Sequence, residues 1–278
     1  MSTGFKPCRT RRIVPGFGAT SARGLTGLFA AVVLWSLVLV GCTTSPPPTT
    51  DGRRVGVLSL LGDRLQVVDT GVGEKVLSHS FVDAAGWRID DHVEQFARQA
   101  IQRGGRSEVV GIDIDREVAQ RIYAACDSRC GSRAPEVRIE ALGKSLSRWR
   151  QDTGLERLVV FVRSDNRHAV MGPLATSAAG VGLGIVSAPR AAGRPATVFT
   201  YVAVIVVEAE TVRVLAKSGF FNTGFVDAAV PALNGGNWPP GGGGEFEQAI
   251  RRQLEDGVNA VFGQLGLLGP ATDSALTR

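Results

Sequence analysis

Residues 25–40 run Leu-Thr-Gly-Leu-Phe-Ala-Ala-Val-Val-Leu-Trp-Ser-Leu-Val-Leu-Val without one charged side chain, and this stretch decides how much of the chain is left to fold. Ahead of it stand Lys6, Arg9, Arg11, Arg12 and Arg23, and no Asp or Glu. A basic segment leading into a short apolar one is a secretory signal. A membrane-spanning helix wants ~20 apolar residues, so the run is short for a permanent span. Removing the leader also removes the chain's formal net charge of +5: five of the 31 Lys and Arg lie in it, leaving 26 against 26 Asp and Glu. A neutral mature chain gives no electrostatic reason to bind nucleic acid, and none is expected as a partner.

The apolar run ends in Leu39-Val40-Gly41-Cys42. This resembles the lipobox of bacterial lipoproteins: an aliphatic residue, two small or apolar residues, then the cysteine that is acylated. The resemblance covers the first 42 residues. It implies cleavage before Cys42, a diacylglyceryl thioether on Cys42 and a fatty acyl group such as palmitate on the new N-terminus. Two or more acyl chains anchor a protein stably where one does so only marginally. Thr43 follows the cysteine. In that family Asp at this position retains the protein at the inner membrane, so Thr43 implies the outer membrane, facing the periplasm. The pair Arg11-Arg12 hints at twin-arginine export. It lies far upstream of the apolar run, and the general secretory route is preferred.

The organisation expected is a signal peptide at 1–41 and a lipidated cysteine with a flexible tether at 42–54. A single domain follows at 55–263, then a flexible tail at 264–278. The tether, Thr43 to Arg54, holds three prolines and nothing to bury. Val55-Gly56-Val57-Leu58-Ser59-Leu60-Leu61 reads as a buried strand, Gly62-Asp63 as a turn, and Leu65–Val68 as its hairpin partner. Lys75–Phe81 and Glu108–Ile112 are further strands. Val93, Phe96, Ala97, Ala100 and Ile101 recur at helical spacing. Asp91 with Glu94 is a capping box for that helix, and Gly104-Gly105 its end. A second helix begins at Asp115 with Val118, Ile122 and Ala125 inward. A third follows Pro135, with Ile139, Leu142, Leu146 and Trp149 on one face. Leu158–Val162 is apolar throughout, as in a central strand covered on both faces. Val198–Val207 and Val212–Ala216 form a hairpin around Glu208-Ala209-Glu210-Thr211. A last helix aligns Phe246, Ile250, Leu254, Val258 and Val261. The fold class is α/β: one domain with a mixed sheet containing two hairpins, flanked by about four helices.

Val55–Asp63, Leu158–Val162 and the hairpin around Glu208 together resemble an uncharacterised family of proteobacterial lipoproteins, over most of residues 55–262. More loosely, the strand order is similar to small periplasmic α/β domains of envelope-assembly lipoproteins. Likeness of fold transfers no function.

Candidate chemistry is sparse. Cys126 and Cys130 lie in an oxidising compartment and read as a local disulfide, with free thiols as the alternative. Asp113-Ile114-Asp115 after a strand suits a Mg²⁺-dependent hydrolase, but the further lysine and acidic pair of such enzymes are not evident, and Asp115 serves equally as a helix cap. Gly180-Val181-Gly182-Leu183-Gly184 has the spacing of neither a P-loop nor a dinucleotide fingerprint and reads as a close-packed or glycine-rich strand region. His79, His92 and His168 form no metal-spaced pair. Arg163, Arg167 and His168 around Asp165 suit a small anion site or a solvated loop after a strand, and the loop is preferred. Trp238, among glycines and prolines, is either an exposed contact or a plug packed on the body. The Ala- and Gly-rich segment 169–188 reads as a mildly apolar flap. No catalytic or metal site and no cofactor are assigned. The reading is a non-catalytic envelope binding or assembly component. A periplasmic metal-dependent hydrolase using Asp113 and Asp115, and a small-ligand-binding lipoprotein, are the alternatives.

Overall fold

The computed structural model describes residues 53–71, 76–105, 107–114, 118–119, 137–164, 180–187, 195–228, 230, 237–238 and 243–268, all within the unit Pro47–Arg278. Its centre is a long hairpin of β7 (Ala196–Glu208) and β8 (Arg213–Val226), paired from Ala196 with Val226 to Glu208 with Arg213. The other edge of β7 carries two strands end to end. β5 (Arg157–Arg163) pairs antiparallel with Val202–Glu208, and β6 (Leu183–Ser187) with Thr197–Thr200. β1 (Arg53–Leu60) lies parallel on β5, and β2 (Arg64–Thr70) parallel on β6. Outermost are β4 (Ser107–Val110), parallel to β1, and β3 (Val76–Asp83), antiparallel to β2. Among the described residues the sheet is mixed and has eight strands.

The expected hairpin of Val55–Leu61 with Leu65–Val68 does not form. β1 runs on into β2 in the same direction across Leu61–Asp63, and β2 turns back onto β3 instead. Gly62, at φ 70°, kinks the chain without reversing it. Both strands are almost wholly buried, so each needs a neighbour on both edges. Parallel pairing with β5 and β6 supplies one, which is the position continuous apolar strands take.

Three α-helices lie among the described residues. α1 (Ile89–Gly104) and α3 (Gly244–Gln264) pack on one face, where Ile89, Val93, Ala97, Phe246, Ile250 and Phe262 meet Val57, Val159, Phe161 and Val204. A 3₁₀ turn at Ile139–Leu142 leads into α2 (Gly143–Thr153), whose Leu146 and Trp149 cover Leu58, Val160, Val162, Ile205 and Val207 on the other face. β5 thus alternates Val159 and Phe161 against Leu158, Val160 and Val162, buried on both sides as its sequence predicts. Each such side chain contributes ~1.5–3 kcal/mol by leaving water. The helix expected from Asp115 lies largely outside the described residues; Val118 packs in the α2 cluster.

Three further differences stand out. The Asp91–Glu94 capping box is absent: Arg88 precedes α1 in a left-handed conformation, Asp91 pairs with Arg88, and Glu94 faces the sheet. β8 runs ten residues past Ala216. The packed chain also continues beyond Gly263. Gly266 (φ 66°) donates to Gly263 O, and Leu267 donates to Phe262 O, which closes α3 in a Schellman turn and buries Leu265 and Leu267.

Candidate functional site

On the α2 side of the sheet, α2 covers the stretch of β7 around Ile205 and Val207. Farther along the same face stand Phe199 and Tyr201, both buried, with Val68, Val76 and Val186. Their rings lie 5.0 Å apart, and Tyr201 lies 5.9 Å from Phe221 of β8. Burial pushes the Tyr201 phenol pKa up and keeps it protonated. Strand alternation puts Phe221, Thr223 and Phe225 on this face and Phe220, Asn222 and Val226 against α3. Phe221 is 38 % exposed and Phe225 64 %. Among the described residues β8 pairs with β7 only, so these rings sit on a long sheet edge. Long edges with exposed apolar side chains are the surfaces natural proteins usually guard. The signal was present in Phe220-Phe221 and Phe225-Val226, where one member of each pair must face outward in a strand.

The polar groups gather elsewhere. Asp90, in the first turn of α1, accepts bonds from Ser59 Oγ (2.6 Å), Leu61 N (2.7 Å) and Gly62 N (2.9 Å). Glu94, one turn on, accepts from Ser59 N (2.9 Å) and pairs with Arg98 at 2.9 Å. Burial raises the Glu94 pKa against the lowering influence of those two partners. Arg163 donates Nε to Leu61 O and Nη2 to Arg64 O (2.8 Å). Between α1 and α3, Glu255 Oε1 lies 3.1 Å from His92 Nε2, and Arg251 bonds Glu247 and the Trp87 carbonyl. Burial is the chief cause lowering the His92 pKa, with Arg251 adding to it and Glu255 opposing.

The sequence candidates are scattered. Asp113 is exposed after β4; its backbone carbonyl accepts from Trp149 Nε1 (2.9 Å) and Arg148 Nη2 (3.4 Å). Asp115, Cys42, Cys126, Cys130, Asp165, Arg167 and His168 lie outside the described residues. His79 sits on β3, 3.2 Å from Gln66 Nε2, and His92 on α1. Among the described residues no three His, Cys, Asp or Glu come within range of one metal ion. The glycine run packs tightly: Gly180 and Gly184 leave room for the Phe199 ring, and Gly182, at φ 70°, lies against Arg163. Trp238 is half-buried and stacks on Trp87 (5.4 Å) and Phe246 (5.8 Å), the plug arrangement.

No family model matches the chain, and no curated protein matches it. Among solved structures it is similar to a PelC dodecamer from Paraburkholderia phytofirmans (9 % identity, 81 % of this chain and 93 % of that one, TM-score 0.33). It is also similar to an uncharacterised protein (7 %, 79 % and 95 %, 0.34) and to a hypothetical protein from Chlamydia trachomatis (9 %, 77 % and 98 %, 0.31). Likeness of this order transfers no function.

Proposed function

We propose that the chain is an envelope lipoprotein, held by acyl chains on Cys42 at the outer membrane facing the periplasm, which binds a protein partner through the Phe221–Phe225 row of β8 and performs no catalysis. In this reading residues 1–41 are removed, and residues 42–54 tether the α/β domain to the lipid. The observation that carries the binding role is Phe225, 64 % exposed on a sheet edge beside the half-covered Phe221. An aromatic row left in water is a contact surface by the usual logic of apolar patches.

Two measurements test it. Cys42→Ser should abolish labelling by a fatty-acid analogue and leave the precursor uncut; a variant that still labels overturns the anchor. A photo-crosslinking residue at Phe225 in intact cells should give a discrete adduct that the same probe at exposed Arg103 on α1 does not give. Phe225→Ser should abolish complementation while the thermal midpoint holds. Full complementation by that variant overturns the binding role.

A further inference from the structure

The edge of a sheet is open to another chain, because its outward N–H and C=O groups have no ladder partner. Short strands, bulges and charges are the usual guards. Among the described residues the edge strands are β3, β4 and β8. β4 (Ser107–Val110) is short and carries Glu108. β3 meets a register shift at Asp69 and Thr70 of β2 and ends at Asp83. β8 is different. From Ser218 to Val226 it has no charge and no proline, and its one register shift lies nearer the turn, opposite Val206 and Val207. α3 does not close over this edge: Asn222 and Gly224, on its side of the sheet, keep part of their surface in water.

The residues along this edge also complement themselves. Lys217 stands just before the uncharged stretch and Asp227 just after it, and both are exposed. Among the described residues neither has an ion-pair partner. They lie at equal distances in sequence from Asn222 (222 − 217 = 227 − 222). A second β8 laid antiparallel about a two-fold axis at Asn222 therefore sets Lys217 of each copy opposite Asp227 of the other. The same register sets Phe225 opposite Gly219 and Phe221 opposite Thr223. Gly219 is bare of necessity, since a Cβ there would lie 2.7 Å from the Val202 carbonyl oxygen of β7. The Phe225 ring of the second copy can lie across that bare position, diagonal to Phe221 and within reach of it. Rings set over strand glycines are a known way to pin a register. We propose that the occupant of this edge is a second copy of the chain, its β8 paired antiparallel with the first about Asn222. This rests on the binding role proposed above and names the partner. Such a contact uses the same patch on both copies and closes as a dimer.

The test uses the full chain in intact cells, expressed as two differently tagged copies, with a photo-crosslinking residue at Phe225 of one. The expected adduct carries both tags, and its crosslink maps to residues 217–221 of the other copy. Lys217→Asp sets two pairs of like charges across the contact and should lower the two-tag adduct about tenfold; adding Asp227→Lys should restore it. A two-tag adduct that Lys217→Asp leaves unchanged, a loss that Asp227→Lys does not reverse, or a crosslink outside residues 217–221 would overturn the pairing. An adduct between Phe225 and a different protein, without the two-tag species, overturns the second copy as occupant and leaves the binding role standing. No adduct of either kind overturns both.

Discussion

Gly184→Ala separates two meanings of the glycine run at 180–184. A loop kept bare for a phosphate would accept a methyl group with little loss of stability. In the structure Gly184 is paired with Gln66 on one side and Phe199 on the other. A Cβ there would lie 2.7 Å from Phe199 Cε1, and closer still to Phe199 Cζ and the Gln66 carbonyl oxygen. The oxygen is backbone in the middle of a parallel ladder and cannot swing aside. Overpacking of this kind costs ~1–3 kcal/mol. Reduced freedom of the unfolded chain returns ~0.4–1 kcal/mol. The net loss is then roughly 1–2 kcal/mol, which for a domain of this size lowers the thermal midpoint by about 2–8 °C. Gly263→Ala is the control. It is exposed near the end of α3, a Cβ there meets nothing within 4 Å, and helix propensity favours alanine by ~0.5–1 kcal/mol. Scanning calorimetry of both variants decides the matter. A Gly184→Ala midpoint equal to or above that of the unsubstituted chain would refute the packing account.

Three other outcomes are expected. Burial chiefly lowers the His92 pKa from its usual 6.5, so below pH 6.5 the unfolded chain takes up that proton first and stability falls as pH drops toward the lowered value; in urea titrations at pH 7.5 and 5, His92→Gln should lose less stability than the unsubstituted chain. Cys126 and Cys130, if bridged, should resist alkylation in the unfolded protein until reductant is added. Asp115→Asn should be nearly silent and Asp115→Ala should cost ~1 kcal/mol in thermal melts, because Asn caps a helix about as well as Asp; an Asn variant that keeps its midpoint and loses function would put the metal-dependent hydrolase first.

Elements with one strong local period were legible in the sequence. Leu158–Val162 has no polar interruption, and Phe246, Ile250, Leu254 and Val258 hold a helical stripe, so each could be placed without knowing its neighbours. What failed was pairing. Gly62-Asp63 announces a break in the chain but not what lies beside it, and the answer depended on β5 and β6, more than ninety residues away. The glycine run read as a strand region without bounds or partners, because Gly180, Gly182 and Gly184 carry no side chains to show a period; their space is filled by Phe199 and Arg163. The Asp91–Glu94 spacing matched a capping box, yet the N–H groups at the end of β1 had no ladder partner and recruited Asp90 and Glu94 instead. The same cause hid the candidate surface. Phe221 and Phe225 look like core residues until β8 is known to extend to Val226 and to lie on an edge.

The proposed lipid anchor and the aromatic row make sense together energetically. A fully buried aromatic side chain removes ~150–250 Å² from water. With Phe221 38 % and Phe225 64 % exposed, a partner has roughly 200 Å² of ring surface left to cover on this side. At ~25 cal/mol per Å² that is about 5 kcal/mol, at the low end of the ~4–15 kcal/mol that free association costs. The row alone therefore does not hold a partner in dilute solution. In the proposed arrangement, confinement of both proteins to one membrane would raise their effective concentration toward the millimolar range, where a contact this small is occupied. The expected result is specific. If residues 1–42 are exchanged for a plain cleavable secretory signal, the domain is exported unanchored with Phe225 intact, and the adduct formed from Phe225 in cells should fall at least tenfold. Purified and concentrated with the partner to about millimolar, the same unanchored domain should recover the adduct. Equal adduct yields from anchored and unanchored protein in cells would show that the contact is strong without the membrane, and that the Phe221–Phe225 row is only a fragment of a much larger interface.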